Sequence, residues 1–175
     1  MINRLSIQNL ILIEKADILF DKGLQIITGE TGSGKSVLLG ALKLLLGAKA
    51  DVESIRSGAS MAAVEAELTL HQPLNWLEEE GVNLSTQGPF LIRREIHRSG
   101  KNRCLLEDQQ ISLTHLKKIT SGGIELVDQG SASTLTSIEA QRKWLDLFGG
   151  LSDRVQKFSA SFHKEKQLTS QLKEL

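Results

Sequence analysis

Polar and apolar residues alternate through Arg4-Leu5-Ser6-Ile7-Gln8, the period of a half-buried strand. Asn9 and the apolar Leu10-Ile11-Leu12-Ile13 follow. Lys15 to Phe20 alternates again, with Ala16, Ile18 and Phe20 on one face, and predicts a second strand. Asp21-Lys22-Gly23 is a turn. Leu24-Gln25-Ile26-Ile27-Thr28 is apolar and β-branched without alternation, which predicts an interior strand. Val37 to Leu46 is rich in Leu and Ala and predicts a helix, with Gly47 where it stops. Ala48 to Ala59 is polar and predicts a loop. Ala63 to Leu70 predicts a strand with Glu65 and Glu67 facing outward. Asn75 to Glu80 predicts a short turn or helix. Phe90–His97 and Asn102–Glu107 predict a hairpin around Arg98-Ser99-Gly100-Lys101, and another turn follows at Glu107 to Gln110. Leu113–Ile119 predicts a short helix capped by Ser112 and ended by Ser121-Gly122-Gly123. Ile124-Glu125-Leu126-Val127 predicts a strand that stops at Asp128-Gln129-Gly130. Thr136-Ser137-Ile138-Glu139 fits a capping box ahead of a helix to about Phe148, ended by Gly149-Gly150. From Ser152 one long polar helix carries the thin stripe Val155, Phe158, Phe162, Leu168, Leu172 and Leu175, interrupted by Glu165. A thin stripe on a charged helix suits a coiled coil better than a globular face. The pattern breaks off without a cap, as at a cut.

Between the third strand and the first helix lies Gly29-Glu30-Thr31-Gly32-Ser33-Gly34-Lys35-Ser36, which fits G-x-x-x-x-G-K-[ST] at every fixed position. Gly29, Gly32 and Gly34 let the backbone turn tightly and approach a phosphate. The amides of Gly32 to Ser36 can cradle phosphate oxygens at the positive end of the helix. Lys35 would reach the β- and γ-phosphates, and Ser36 would give its hydroxyl to Mg²⁺. The motif points to a nucleoside triphosphate without saying which. A glycine-rich turn with a chance lysine is the bland alternative, and the flanking strand and helix argue against it.

Composition narrows this little further. The chain has 175 residues and a formal net charge of zero, so any nucleic-acid contact must come from a local patch. Arg93, Arg94, Arg98, Lys101 and Arg103 form such a cluster on the hairpin, opposed by Glu95. No aromatic residue interleaves, and a solvated face is the alternative. One cysteine, Cys104, allows no internal disulfide and suits a reducing cytoplasm; it reads as core. The four scattered histidines make no zinc pattern. Trp76 and Trp144 read as packing residues, and Phe158 and Phe162 as a helix–helix seam. There is no signal-peptide core or membrane-length apolar run.

Several stretches together resemble one family: Met1–Leu12, Gly29–Ser36, Leu44-Leu45-Leu46-Gly47-Ala48-Lys49-Ala50-Asp51, Ile55-Arg56-Ser57-Gly58-Ala59, Leu91-Ile92-Arg93-Arg94-Glu95-Ile96 and Leu145-Asp146-Leu147-Phe148-Gly149-Gly150-Leu151. They are similar to the N-terminal part of RecN-type DNA repair ATPases, an SMC-like branch of the ABC ATPases. The resemblance covers nearly the whole chain, and the segments around Arg56 and Arg93-Arg94-Glu95 are its specific part.

The resemblance implies an α/β P-loop NTPase fold: the N-terminal lobe of an ABC/SMC-like head over 1–151, running into a coiled-coil arm over 152–175. It implies a bacterial, cytoplasmic, nucleoid-associated protein acting in recombinational repair of double-strand breaks, with ATP and Mg²⁺ as cofactors. Full chains of the family are about three times longer. Their C-terminal half-head completes the ATPase, and two heads close on two ATP molecules. The implied partners are therefore that half-head, a second head and DNA. The signature loop and the catalytic glutamate of the family lie in the C-terminal half, so this chain is expected to bind ATP without hydrolysing it alone. Thr120 to Glu125 imitates the signature but reads as a helix-ending turn.

Gln129 falls where the family places a glutamine touching Mg²⁺ and the γ-phosphate region. Asp128-Gln129-Gly130-Ser131-Ala132-Ser133 departs from the usual H-G-Q-H-E-H pattern, and an ordinary strand-end turn is the alternative. Arg56 falls at the arginine that in SMC-like heads reaches toward nucleotide; a solvated loop arginine is the alternative. Glu107-Asp108 stands where the family has Asn-Gly in a tight turn. Two rival readings remain: a self-contained small P-loop kinase or nucleotidase, and a non-enzymatic remnant that binds a partner through 152–175.

Overall fold

The alternation at the N-terminus places the first strand inside a sheet. The computed structural model describes residues 1–30, 34–69, 74, 76–84, 88–121, 124–127 and 138–174. They contain strands β1 (Ile2–Leu10), β2 (Ile13–Leu19), β3 (Met61–Leu68), β4 (Phe90–His97), β5 (Asn102–Leu106) and β6 (Gln109–Ile111). The helices are α1 (Lys35–Leu45), α2 (Trp76–Glu79), α3 (Leu113–Thr120), α4 (Ile138–Phe148) and α5 (Ser152–Glu174), with a 3₁₀ turn at Val52–Ser54. The chain forms two units, Met1–Glu125 and Leu126–Leu175.

In the first unit all six strands pair antiparallel in the order β2-β1-β3-β4-β5-β6. Side chains alternate across the pleat. One face presents Leu5, Ile7, Val64, Ala66, Ile92 and Leu106, each at most 1% exposed. Register keeps this face continuous, with Leu5 opposite Ala66, Ala66 opposite Ile92 and Ile92 opposite Leu106.

Helix α1 packs against β1, β3 and β4. Its buried residues are Val37, Ala41, Leu44 and Leu45, at the i, i+4, i+7, i+8 spacing of one helical face. Its end is a Schellman turn: Gly47, at φ +85°, donates to Leu44 O at 3.1 Å, and Ala48 donates to Lys43 O at 2.9 Å. Helix α3 starts at Ser112, whose Oγ accepts the His115 N–H at 3.0 Å, as the sequence predicts. It buries Leu116 and Ile119 completely.

The opposite sheet face is a ladder of ion pairs. Arg4 meets Asp17 at 2.6 Å, and Arg93 meets Glu65 at 3.3 Å and Glu95 at 3.0 Å. The hydrogen bond from Arg4 holds the Asp17 carboxyl below the usual carboxylate range. What stability this pair adds is present at neutral pH and is lost as the pH falls through that lowered value.

The β5–β6 connection explains an oddity of the sequence. Glu107 and Asp108 have φ of +48° and +62°, the two left-handed positions of a tight hairpin turn, where Asn-Gly is favoured. Glu107 is held there in part because its Oε1 accepts the Leu91 N–H at 2.6 Å. Asp108→Gly removes the steric cost without touching that bond. It is expected to raise stability by about 0.5–1 kcal/mol, read as a higher midpoint in urea at unchanged slope.

Two predicted strands do not form. Residues 24–28 have no regular structure, and Leu24, Ile26 and Ile27 are 86%, 75% and 50% exposed. A strand of this composition needs ladder partners and cover on both faces, and no described strand pairs with it. Residues 124–127 also lack strand pairing; Ile124 N–H instead donates to Thr120 O at 3.1 Å, extending the end of α3.

In the second unit, α4 ends as α1 does, with Gly150 (φ +64°) donating to Leu147 O and Leu151 donating to Asp146 O. The capping-box residues Thr136 and Ser137 lie outside the described residues, as does Leu175 of the stripe. Trp144 is 48% exposed rather than packed. On α5 the stripe faces outward: Val155, Phe158, Phe162, Leu168 and Leu172 are all exposed. Phe158 and Phe162 stack on each other at 6.2 Å, one turn apart, and line a cavity with Arg142 and Asp146 of α4.

Candidate functional site

Of the phosphate-loop residues, Gly29, Glu30, Gly34, Lys35 and Ser36 are described; Thr31, Gly32 and Ser33 lie outside the described residues. Gly34 is the N-cap of α1 with φ +98°, a conformation that side chains disfavour. Among the described residues no side chain caps this helix end, and its first turn carries no acidic residue. The N-terminal amides therefore keep their positive end for an anion. Lys35 and Ser36 are exposed on that turn. The Lys35 ammonium curls back to donate to Gly29 O, and to Glu30 O at 2.6 Å. These residues fit a Mg²⁺-bound triphosphate: an uncapped helix start, a lysine folded over the loop, and a hydroxyl beside it.

The second sequence candidate, Arg56, stands close to this loop through an indirect tether. Its Nη1 donates to Leu12 O at 2.9 Å, and its Nη2 lies 3.6 Å from Glu14. Between those two residues sits Ile13, whose Cδ1 is 3.9 Å from the position a Cβ on Gly34 would take. Arg56 thus grips the β1–β2 turn on both sides of the residue that borders the start of α1. That turn is itself constrained: Asn9 and Ile11 have φ of +52° and +50°. A β-branched residue is an outlier there. Ile11 N–H donates to Ser54 O at 2.7 Å and Arg56 N–H to Asn9 O at 2.9 Å, which pins the turn to the loop carrying Arg56.

Sequence reasoning missed the residue that holds this loop. Arg98 was grouped with the basic hairpin, but its guanidinium donates to Ala59 O at 2.7 Å, Arg56 O at 3.1 Å and Ile55 O at 3.3 Å. No spacing rule could have found a contact across some forty positions. Arg98→Ala is expected to cost about 1–2 kcal/mol and to speed amide exchange across 55–60, while Lys101→Ala stays within about 0.5 kcal/mol; thermal melts and hydrogen exchange check both.

The predicted DNA patch is divided. Arg93 and Arg94 are neighbours on β4, so they point to opposite faces. Arg93 lies between Glu65 and Glu95 on the polar face, while Arg94 is buried at 3% exposure. Arg98 is engaged as described. Lys101 and Arg103 are exposed, Arg103 standing across the ladder from Glu95. Gln129 lies outside the described residues, so its predicted contact with Mg²⁺ has no geometry here. Cys104 is core, as expected, at 5% exposure. Among the described residues no cluster of metal-ligating side chains occurs, and no helix is long and apolar enough to cross a membrane.

Residues 4–175 match the family described as AAA domain. The DNA repair protein RecN of Synechocystis is 35% identical over 154 residues, covering 86% of this chain and 26% of that protein. RecN of Treponema pallidum is 32% identical over 179 residues, covering 100% and 31%. RecN of Bacillus subtilis is 29% identical over 180 residues, covering 100% and 31%. The resemblance read from the sequence is borne out, and the chain spans about a third of the length of the curated relatives it matches. Among solved structures, the Smc head domain with coiled coil and joint of Pyrococcus yayanosii has a TM-score of 0.65 at 21% identity, covering 95% of this chain and 35% of that one. A structure from work on ATP-driven dimerization and DNA-stimulated activation of SMC ATPases has a TM-score of 0.59 at 22% identity, covering 83% and 97%. ATP-bound RecF has a TM-score of 0.56 at 15% identity, covering 86% and 39%. These likenesses show the fold, a mixed α/β P-loop head lobe.

Proposed function

The chain belongs to the AAA-domain family, and on that premise we propose that it is the ATP-binding N-terminal half-head of a RecN-like ATPase in recombinational repair of DNA double-strand breaks. The observation that carries this reading is the uncapped start of α1 at Gly34–Ser36, with Lys35 folded over the loop and Arg56 tethered beside it through the β1–β2 turn. Gly29 to Ser36 hold the triphosphate, and Ser36, joined by Gln129, holds Mg²⁺. The metal would neutralise charge on the phosphates and orient them. Arg56 supplies a positive charge near the nucleotide, set in place by Leu12 O and Glu14.

The exposed run 24–28 supports a C-terminal half-head as partner, because its β-branched residues are those of a strand awaiting ladder neighbours. The outward stripe on α5 supports a returning helix that completes a coiled coil. Closure of two such heads on ATP follows the same reading. Of the basic hairpin, Lys101 and Arg103 are the residues left to meet DNA phosphates. A cytoplasmic, nucleoid-associated place in a bacterium goes with this function.

The test is equilibrium binding of Mg²⁺-ATP to the 175-residue chain, with hydrolysis followed in the same sample. Binding without turnover is expected, with turnover on adding the C-terminal part of a full-length relative. Sustained turnover by the chain alone, lost with Lys35→Ala, would overturn the division of labour and favour a self-contained P-loop enzyme.

A further inference from the structure

Arg94 is a buried cation that the described residues around it leave without an anionic partner. It is 3% exposed, its Nη1 lies 3.0 Å from Cys104 Sγ, and its Nε is buried without a hydrogen-bond partner. Among the described residues no carboxylate pairs with it. The guanidinium is a planar, delocalised cation with five donors and no acceptor. Taking such a charge out of water costs several kcal/mol unless an anion and further hydrogen bonds offset it.

The residue lines a groove of about 430 Å³ between the ends of β4 and β5 and the start of α3. Lys49, Asn102, Gln110 and Ser112 share the lining, and no acidic side chain does. The wall at Ser112 and Leu113 is the N-terminus of an eight-residue helix with no acid in its first turn, so its dipole adds to the two cations. A guanidinium, an ammonium, two amide side chains and the Ser112-capped start of α3 line one space, Asn102 Nδ2 also donating to Gly100 O at 3.2 Å. Nothing in the polar lining is a fixed negative charge.

We propose that this groove is a second anion site, for phosphate or a terminal phosphate monoester, separate from the Gly29–Ser36 loop. The monoester is favoured by depth. A phosphodiester within a strand is flanked by sugars on both sides, whereas a terminal phosphate presents one free face to a guanidinium only 3% exposed.

Cys104 is the chain's one cysteine and lines the same groove, so its modification reports occupancy at that place alone. The experiment measures the rate of Cys104 modification by methyl methanethiosulfonate at constant ionic strength, with and without inorganic phosphate, each variant being compared with itself. Phosphate is expected to slow the reaction several-fold in the wild type and equally in Lys35→Ala. Lys49→Ala, a surface change that keeps the fold, is expected to raise the phosphate concentration needed about tenfold, and Arg94→Met to abolish protection. The source is resolved by adenosine monophosphate against an oligonucleotide bearing a 5′-phosphate; protection by either supports the site. Absence of protection overturns the proposal. So does protection lost in Lys35→Ala, protection unchanged in both Lys49→Ala and Arg94→Met, or equal protection by a 5′-hydroxyl oligonucleotide. None of these outcomes depends on whether the chain is an ATPase half-head.

Discussion

Replacing Lys35 by alanine is expected to weaken Mg²⁺-ATP binding by about tenfold to a hundredfold while leaving the melting temperature nearly unchanged. The two parts of this expectation have separate origins. Lys35 is an exposed first-turn residue of α1, and its ammonium donates to the Gly29 and Glu30 carbonyls of the loop. Alanine is also the best helix former, so α1 keeps its propensity. With triphosphate bound, the ammonium trades neutral carbonyls for anionic oxygens, and hydrogen bonds to charged groups contribute about 1.5–3 kcal/mol each. Fluorescence titration with an ATP analogue, paired with a thermal melt, reads both. A loss of affinity accompanied by a large fall in melting temperature would mean that Lys35 acts by holding the loop rather than by meeting phosphate.

The largest effect on stability is expected from Ile92→Ala, about 2–5 kcal/mol. Ile92 is fully buried near the middle of the sheet, with Ala66 opposite on β3 and Leu106 opposite on β5. One of these neighbours is already alanine, so the vacated space has little to collapse into it. Against a typical total of about 5–15 kcal/mol, such a loss is a large share of the whole. It would also reach the proposed nucleotide site at the start of α1, because α1 packs on β3 and β4. Arg93→Ala, one residue along and on the other face, is the matched comparison: it breaks half-exposed ion pairs and is expected to cost under about 1 kcal/mol. Urea unfolding of both variants separates the faces. Equal losses would show that the core does not lie where Ile92 points.

Period carried the reading of the sequence where local rules govern. Alternation located β1, β2 and β3, the Leu- and Ala-rich run located α1, and Ser112 located the start of α3, because each of these needs only its own neighbours to be recognised. The failures share a different cause. Ile26 and Ile27 have the composition of a buried strand, yet burial depends on partners that composition does not supply. Arg93 and Arg94 are one charge cluster in a linear string and two unrelated residues once the pleat separates them. Arg56 was singled out through resemblance alone. Its tether to Leu12 O spans 44 positions and rests on a turn with Asn9 and Ile11 at positive φ, which no periodicity announces. Glu107-Asp108 is a milder case: the turn was legible, but the compensating bond to Leu91 was not.

The paired charges on the outer sheet face bear on how quickly other molecules arrive. Arg4 beside Asp17, and Arg93 between Glu65 and Glu95, place each charge within a few ångströms of its opposite. The potential of such close pairs decays faster than that of like charges in a row, and salt near 0.1 M screens the remainder beyond about 10 Å. A polyanion diffusing toward this face is neither drawn in nor turned to meet it, so encounters there proceed at the unsteered rate and change little with ionic strength. The paired stretch of the face can stand next to nucleic acid without capturing it, leaving Lys101 and Arg103 at its hairpin end as the proposed point of docking.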